Sequence, residues 1–94
     1  MKPIDWNADK NQLLMDERGV SFEDVVFALQ ADGLLDDMVH PNKEKYPNQR
    51  IFVVRIDDYA WLVPYVEDEK ALFLKTIIPS RKASRKYLQE QNGE

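Results

Sequence analysis

The chain has 94 residues, 44% of them hydrophobic and 32% charged, with a net charge of −4 and no cysteine. That length supports a single modest core, and the composition is that of a folded globule rather than a disordered chain. Without cysteine there is no disulfide, thiolate metal site or cysteine nucleophile, which suits a reducing cytoplasm.

The longest apolar runs, Tyr59 to Val66 and Ile51 to Val54, are far shorter than the roughly 20 residues of a bilayer-crossing helix. No membrane association is expected. Met1-Lys2-Pro3-Ile4-Asp5-Trp6 has no apolar run before its first acid, so no secretory signal is expected either. The charge is uneven: residues 1–47 carry 5 basic and 10 acidic side chains, residues 48–94 carry 8 and 7. A dedicated duplex-DNA binder would be basic as a whole, and this chain is not.

One continuous domain, 1–94, is expected, since no repeat, low-complexity tract or linker interrupts the pattern. Ile4-Asp5-Trp6 reads as a short edge strand or as a tail with Trp6 buried. Asn7 or Asp9 caps a first helix through about Arg18, and Gly19 stops it, because glycine accepts the left-handed conformation that ends helices. Ser21-Phe22-Glu23-Asp24 opens a second helix in capping-box style, with acids in the positively polarised first turn. Phe22, Val25, Val26 and Leu29 then recur at the spacing of one helical face. Gly33 marks the break beyond Ala31.

Leu34 to Val39 reads as a strand weakened by its two adjacent aspartates, and His40 to Gln49 as a loop. Strands follow over Arg50 to Ile56, Tyr59 to Val66 and Ala71 to Ile78. Their connections, Asp57-Asp58 and Glu67 to Lys70, are too short for a parallel crossover, so neighbours must be antiparallel. Pro64 should interrupt the ladder or face an unpaired edge. Ser80 caps a final helix from about Arg81 to Gln91. The expected fold is α+β: two N-terminal helices on one face of a three- or four-stranded antiparallel meander, then a basic C-terminal helix.

The chemistry-bearing residues are few. Between Lys75 and Leu88 stand five cations, Lys75, Arg81, Lys82, Arg85 and Lys86, without one acid. A local positive patch on an acidic chain points to an RNA backbone or an acidic protein partner. Arg81 and Arg85, and Lys82 and Lys86, fall at helical spacing. Lys43 and Lys45 precede Arg50, which opens a strand. If these converge, arginine holds a scissile phosphate by paired hydrogen bonds while a tyrosine hydroxyl takes part in proton transfer. Cleavage without a metal also needs a base for the 2′-hydroxyl, and no histidine is obvious for it. His40, near Asp36 and Asp37, is a candidate metal group, but the bland reading is a surface histidine in a loop. No metal or other cofactor is expected. Most aromatics read as core, with Tyr46, Tyr65 and Tyr87 as the exceptions.

Five segments occur in a familiar order: Trp6-Asn7-Ala8-Asp9-Lys10-Asn11, Glu17-Arg18-Gly19-Val20-Ser21-Phe22-Glu23-Asp24-Val25, Gln49-Arg50-Ile51-Phe52, Val63-Pro64-Tyr65 and Ser80-Arg81-Lys82-Ala83-Ser84. Together they resemble the BrnT-like toxins, small RelE-type proteins of bacterial type II toxin–antitoxin pairs. The resemblance implies a cytoplasmic α+β ribonuclease that arrests translation and is neutralised by a cognate antitoxin protein. It points to Arg50, Tyr65 and Arg81 as catalytic residues. Lys43, Lys45, Lys75, Lys82, Arg85 and Lys86 are the cations expected to meet RNA. Thr76 stands where the family pattern has a strand arginine, and Lys75, one residue away, points to the other face. The alternative is a non-catalytic protein of the same fold that binds a partner.

Overall fold

The computed structural model describes residues 2–89. A short strand, β1 (Ile4–Asp5), leads into helices α1 (Ala8–Arg18) and α2 (Phe22–Gln30). Strands β2 (Leu34–Val39), β3 (Gln49–Ile56), β4 (Tyr59–Glu67), β5 (Leu72–Leu74) and β6 (Ile78–Pro79) follow. One α-helical turn, α3 (Arg81–Ala83), then continues with π-type geometry over Ser84–Gln89. Glu90 and Gln91, expected to end that helix, lie outside the described residues.

Local chemistry explains where the helices begin and end. The Asn7 side chain accepts from the Lys10 N–H at 2.9 Å. Gly19, at φ 66°, returns its N–H to the Met15 carbonyl. At Ser21 the capping box is reciprocal: the hydroxyl accepts from Asp24 N–H at 3.1 Å, and the Asp24 carboxylate accepts from Ser21 N–H at 2.9 Å. A further contact ties the helices together. Buried Asn11 accepts from the Phe22 N–H at 2.7 Å and donates to Glu23 at 2.8 Å, so α1 satisfies the free amide at the start of α2.

The sheet runs β1-β5-β4-β3-β2, with β6 also on β4. The meander from β2 to β5 is antiparallel, as its short connections require. Asp57 and Asp58 form the two-residue hairpin, both at positive φ as a twist-matched turn demands. Two expectations need correction. The sheet is larger than three or four strands and is mixed, because β1 joins β5 in parallel, Ile4 opposite Leu72. And the strand expected over residues 71–78 is two pieces. Lys75 N–H donates to the Pro64 carbonyl at 2.8 Å, but Pro64 has no N–H to return, so the ladder breaks between β5 and β6.

Helices cover both faces, not one. On the first face, Leu14, Val20, Phe22, Val25 and Ala28 pack on Phe52, Val54, Val63, Tyr65, Leu72 and Leu74. On the second, Ala83, Tyr87 and Leu88 pack on Val53, Ala60 and Leu62. Along β3 this leaves Ile51, Phe52, Val53 and Val54 all buried. Val25 is fully buried in α2, whereas Val26 and Leu29 are only half-buried, and Ala28 completes the contact.

Candidate functional site

Adjacent residues on a strand point to opposite faces. The Asp36-Asp37 pair in β2 therefore serves two layers. Asp37 lies opposite Phe52 on β3, and two residues along that strand Arg50 lies opposite Tyr65 on β4. The three polar side chains meet there. The Tyr65 hydroxyl donates to Asp37 Oδ1 at 2.8 Å, Arg50 Nε donates to the same oxygen at 3.2 Å, and Arg50 Nη2 donates to the Asp37 carbonyl at 3.2 Å. Phe52 stacks on Tyr65 with ring centroids 3.9 Å apart and 10° between planes, fixing the tyrosine ring.

Electrostatics follow from this packing. Burial, then the bond to Asp37, pushes the Tyr65 hydroxyl up to about 12, against the opposing influence of Arg50. The Tyr65 hydroxyl and the Asp37 carboxylate hold the Arg50 guanidinium above its ordinary value. At neutral pH the tyrosine keeps its proton and the arginine its charge. Arg50 spends its Nε–H and one Nη2–H on Asp37 and also meets the Tyr65 hydroxyl, and the rest of the guanidinium is left for a ligand.

On the other face, Asp36 accepts from the Tyr87 hydroxyl and from the Asp37 N–H at 2.8 Å. Tyr87 first, then that N–H, with Lys86 contributing, hold the Asp36 carboxyl below the usual range. This contact fastens the last helix to β2. The candidate metal group of the sequence is also separated. Asp36 and Asp37 face apart, while His40 Nδ1 accepts from Asn42 N–H at 3.0 Å and its ring packs on Tyr46. Among the described residues, no three His, Cys, Asp or Glu side chains are arranged to hold a metal ion.

The expected cations do not form one surface. Arg50 and Lys43 line an open cleft of about 440 Å³ at the rim of the sheet, with His40, Gln49 and Glu67. Lys45 stands over the Tyr46 ring beside it, 5.4 Å from the centroid. Lys75 sits over Phe73 on the far edge. Lys82 and Lys86 line a second cleft against Met38 and Leu62. Arg81 and Arg85 line a third, beside Asp58 and Tyr59 at the β3–β4 hairpin. Ser80 N–H bonds the Ala60 carbonyl, five residues along β4 from Tyr65, so Arg81 starts roughly 16 Å from the Arg50 cluster. Arg50 and Tyr65 are thus together, and Arg81 is apart from both.

Three members of the rim site escaped the sequence reading: Asp37 as the acceptor joining Tyr65 to Arg50, and His40 and Glu67 as neighbours of Arg50 in the cleft. The signal for Asp37 was present. A carboxylate inside a strand needs partners on whichever face it occupies. No helix among the described residues is long and apolar enough to cross a membrane. Comparison of the chain with protein-family models, with curated proteins and with solved structures finds no match.

Proposed function

We propose that this protein is the toxin of a bacterial type II toxin–antitoxin pair, a metal-independent ribonuclease acting at the rim cleft and neutralised by a protein antitoxin. One observation carries the reading: Arg50, Lys43, His40 and Glu67 line a single open cleft. Arg50 and Lys43 supply charge and donors for a phosphodiester. Its remaining N–H groups let Arg50 stabilise the charge that develops on the phosphoryl oxygens. Glu67 is the one carboxylate lining this cleft; its Oε2 pairs with Lys2 at 2.9 Å, and its other oxygen takes the proton of the 2′-hydroxyl. The 2′ oxygen then bonds to phosphorus, the bond to the 5′ oxygen breaks, and the leaving oxygen takes a proton from water in the open cleft. The products are a 2′,3′-cyclic phosphate and a 5′-hydroxyl.

His40 and Tyr65 have supporting roles. His40 Nδ1 accepts from Asn42 N–H, which leaves the Nε2 side of the ring as the donor for a phosphate oxygen. Tyr65 is 3% exposed and committed to Asp37, so it positions Asp37 and Arg50 and does not touch the substrate.

The test is expression with variants, followed by growth and by RNA products formed in the presence of chelator. Arg50→Ala and Glu67→Gln should abolish growth arrest and cyclic-phosphate product. Arg81→Ala, placed at the hairpin, should leave both intact. Arrest that survives Arg50→Ala but not Arg81→Ala would move the site to the last helix.

A second reading has its own observation. Phe27 on acidic α2 is 71% exposed, beside Asp24 and Asp57 around a groove of about 390 Å³. An exposed aromatic of this size fits a protein contact, and growth unaffected by expression of the wild type would favour an interaction role alone.

A further inference from the structure

The loop before β3 carries two rings that neither core uses. His40 and Tyr46 pack with centroids 4.6 Å apart and 40° between planes, and neither belongs to a buried cluster. The loop that presents them is tied by its own hydrogen bonds. Tyr46 N–H bonds Asn42 O at 3.0 Å, Lys45 N–H bonds the Asn42 side chain at 3.2 Å, and His40 N–H bonds Gln49 O at 3.2 Å. Those contacts hold the His40 ring in the lining of the cleft of Arg50 and Lys43, with the Tyr46 ring packed against it. The Lys45 ammonium over the Tyr46 ring is exposed and sits on a flexible stem, so it can move to a phosphate and free that ring face.

We infer that the His40–Tyr46 pair is a stacking platform for an unpaired nucleobase next to the phosphate held by Arg50, so that the cleft takes single-stranded and not duplex RNA. This rests on the RNA reading of the same cleft. The physical reason is access. In an A-form duplex the bases are stacked and their faces hidden, and the deep major groove admits no side chain. In a single strand every base offers a face, and aromatic stacking adds affinity whatever the base.

The test compares three probes by fluorescence anisotropy at low salt: oligo(dA), the same backbone without bases, and a 2′-O-methyl RNA duplex of the same length, which keeps the A form. Lacking a free 2′-hydroxyl, none can be cleaved by the proposed route. The wild type should bind oligo(dA) between about five- and about 150-fold more tightly than the abasic strand. Tyr46→Ala should bring that ratio close to one, and Tyr46→Phe, which keeps the ring, should preserve it. Arg50→Ala should weaken both single strands alike and leave the ratio unchanged. Equal affinity of the wild type for base-bearing and abasic strands, equal affinity for the duplex, or a ratio indifferent to Tyr46→Ala would overturn the platform while the RNA reading stands. Binding of no strand at all would overturn both.

Discussion

Replacing Asp37 separates the structural and functional parts of the rim cluster. In Asp37→Ala, Tyr65, a residue 3% exposed, loses the acceptor of its hydroxyl. A buried donor left unpaired costs about 1–3 kcal/mol. The Arg50–Asp37 ion pair adds little, because the two side chains are 42% and 37% exposed and water replaces the partner. The alanine variant should therefore lose about 1–3 kcal/mol in urea denaturation, with the slope unchanged. Asp37→Asn keeps an oxygen to accept from Tyr65 and should lose clearly less than the alanine variant. It also removes the charge that offsets Arg50, so its affinity for oligo(dA) should exceed that of the wild type. An alanine variant within about 0.5 kcal/mol of wild type would refute the buried Tyr65–Asp37 bond, because surface substitutions fall in that range.

Asn11→Ala should cost about 1–3 kcal/mol by stranding the buried Phe22 N–H. The same variant should blunt an acid response: Asn11 is the first cause holding the Glu23 carboxyl below its usual value. A lowered folded value means its stabilising share is complete above the ordinary value and lost as pH falls through the lowered one. By tyrosinate absorbance, Tyr65 should ionise near pH 12. The fold favours the neutral Tyr65 hydroxyl, so stability should decline as pH rises from the ordinary value of 10.0 toward about 12. Gly33→Ala should cost about 1–3 kcal/mol, since its Cβ would lie 2.8 Å from the Ala28 carbonyl and 3.2 Å from that of Arg55, both backbone atoms that cannot rotate away. A thermal midpoint unchanged in that variant would mean α2 and β3 are packed less closely than the structure has them.

What the sequence determined alone are the features whose physics is local. Ser21 reaches an amide three residues on, Gly19 closes the helix four residues back, and Asp57-Asp58 leaves no length for anything but an antiparallel turn. Pro64 announced a broken ladder because its missing donor is a property of the residue itself. Tertiary structure decided what depends on distant partners. The two residues of β1 become a strand only because β5 offers an edge. One covered face was expected for the sheet, and only packing set Ala83, Tyr87 and Leu88 on the second, which buries the whole apolar run Ile51 to Val54. In the candidate site, Arg50 and Tyr65 meet because cross-strand register sets them opposite each other. The basic stretch from Lys75 to Lys86 reads as one patch along the chain, yet the break after β5 and the turn at Ser80 send its cations to separate surfaces. Asp36 and Asp37 differ by one position and by one pleat, and that half-period directs one to Tyr87 and the other to Tyr65 and Arg50.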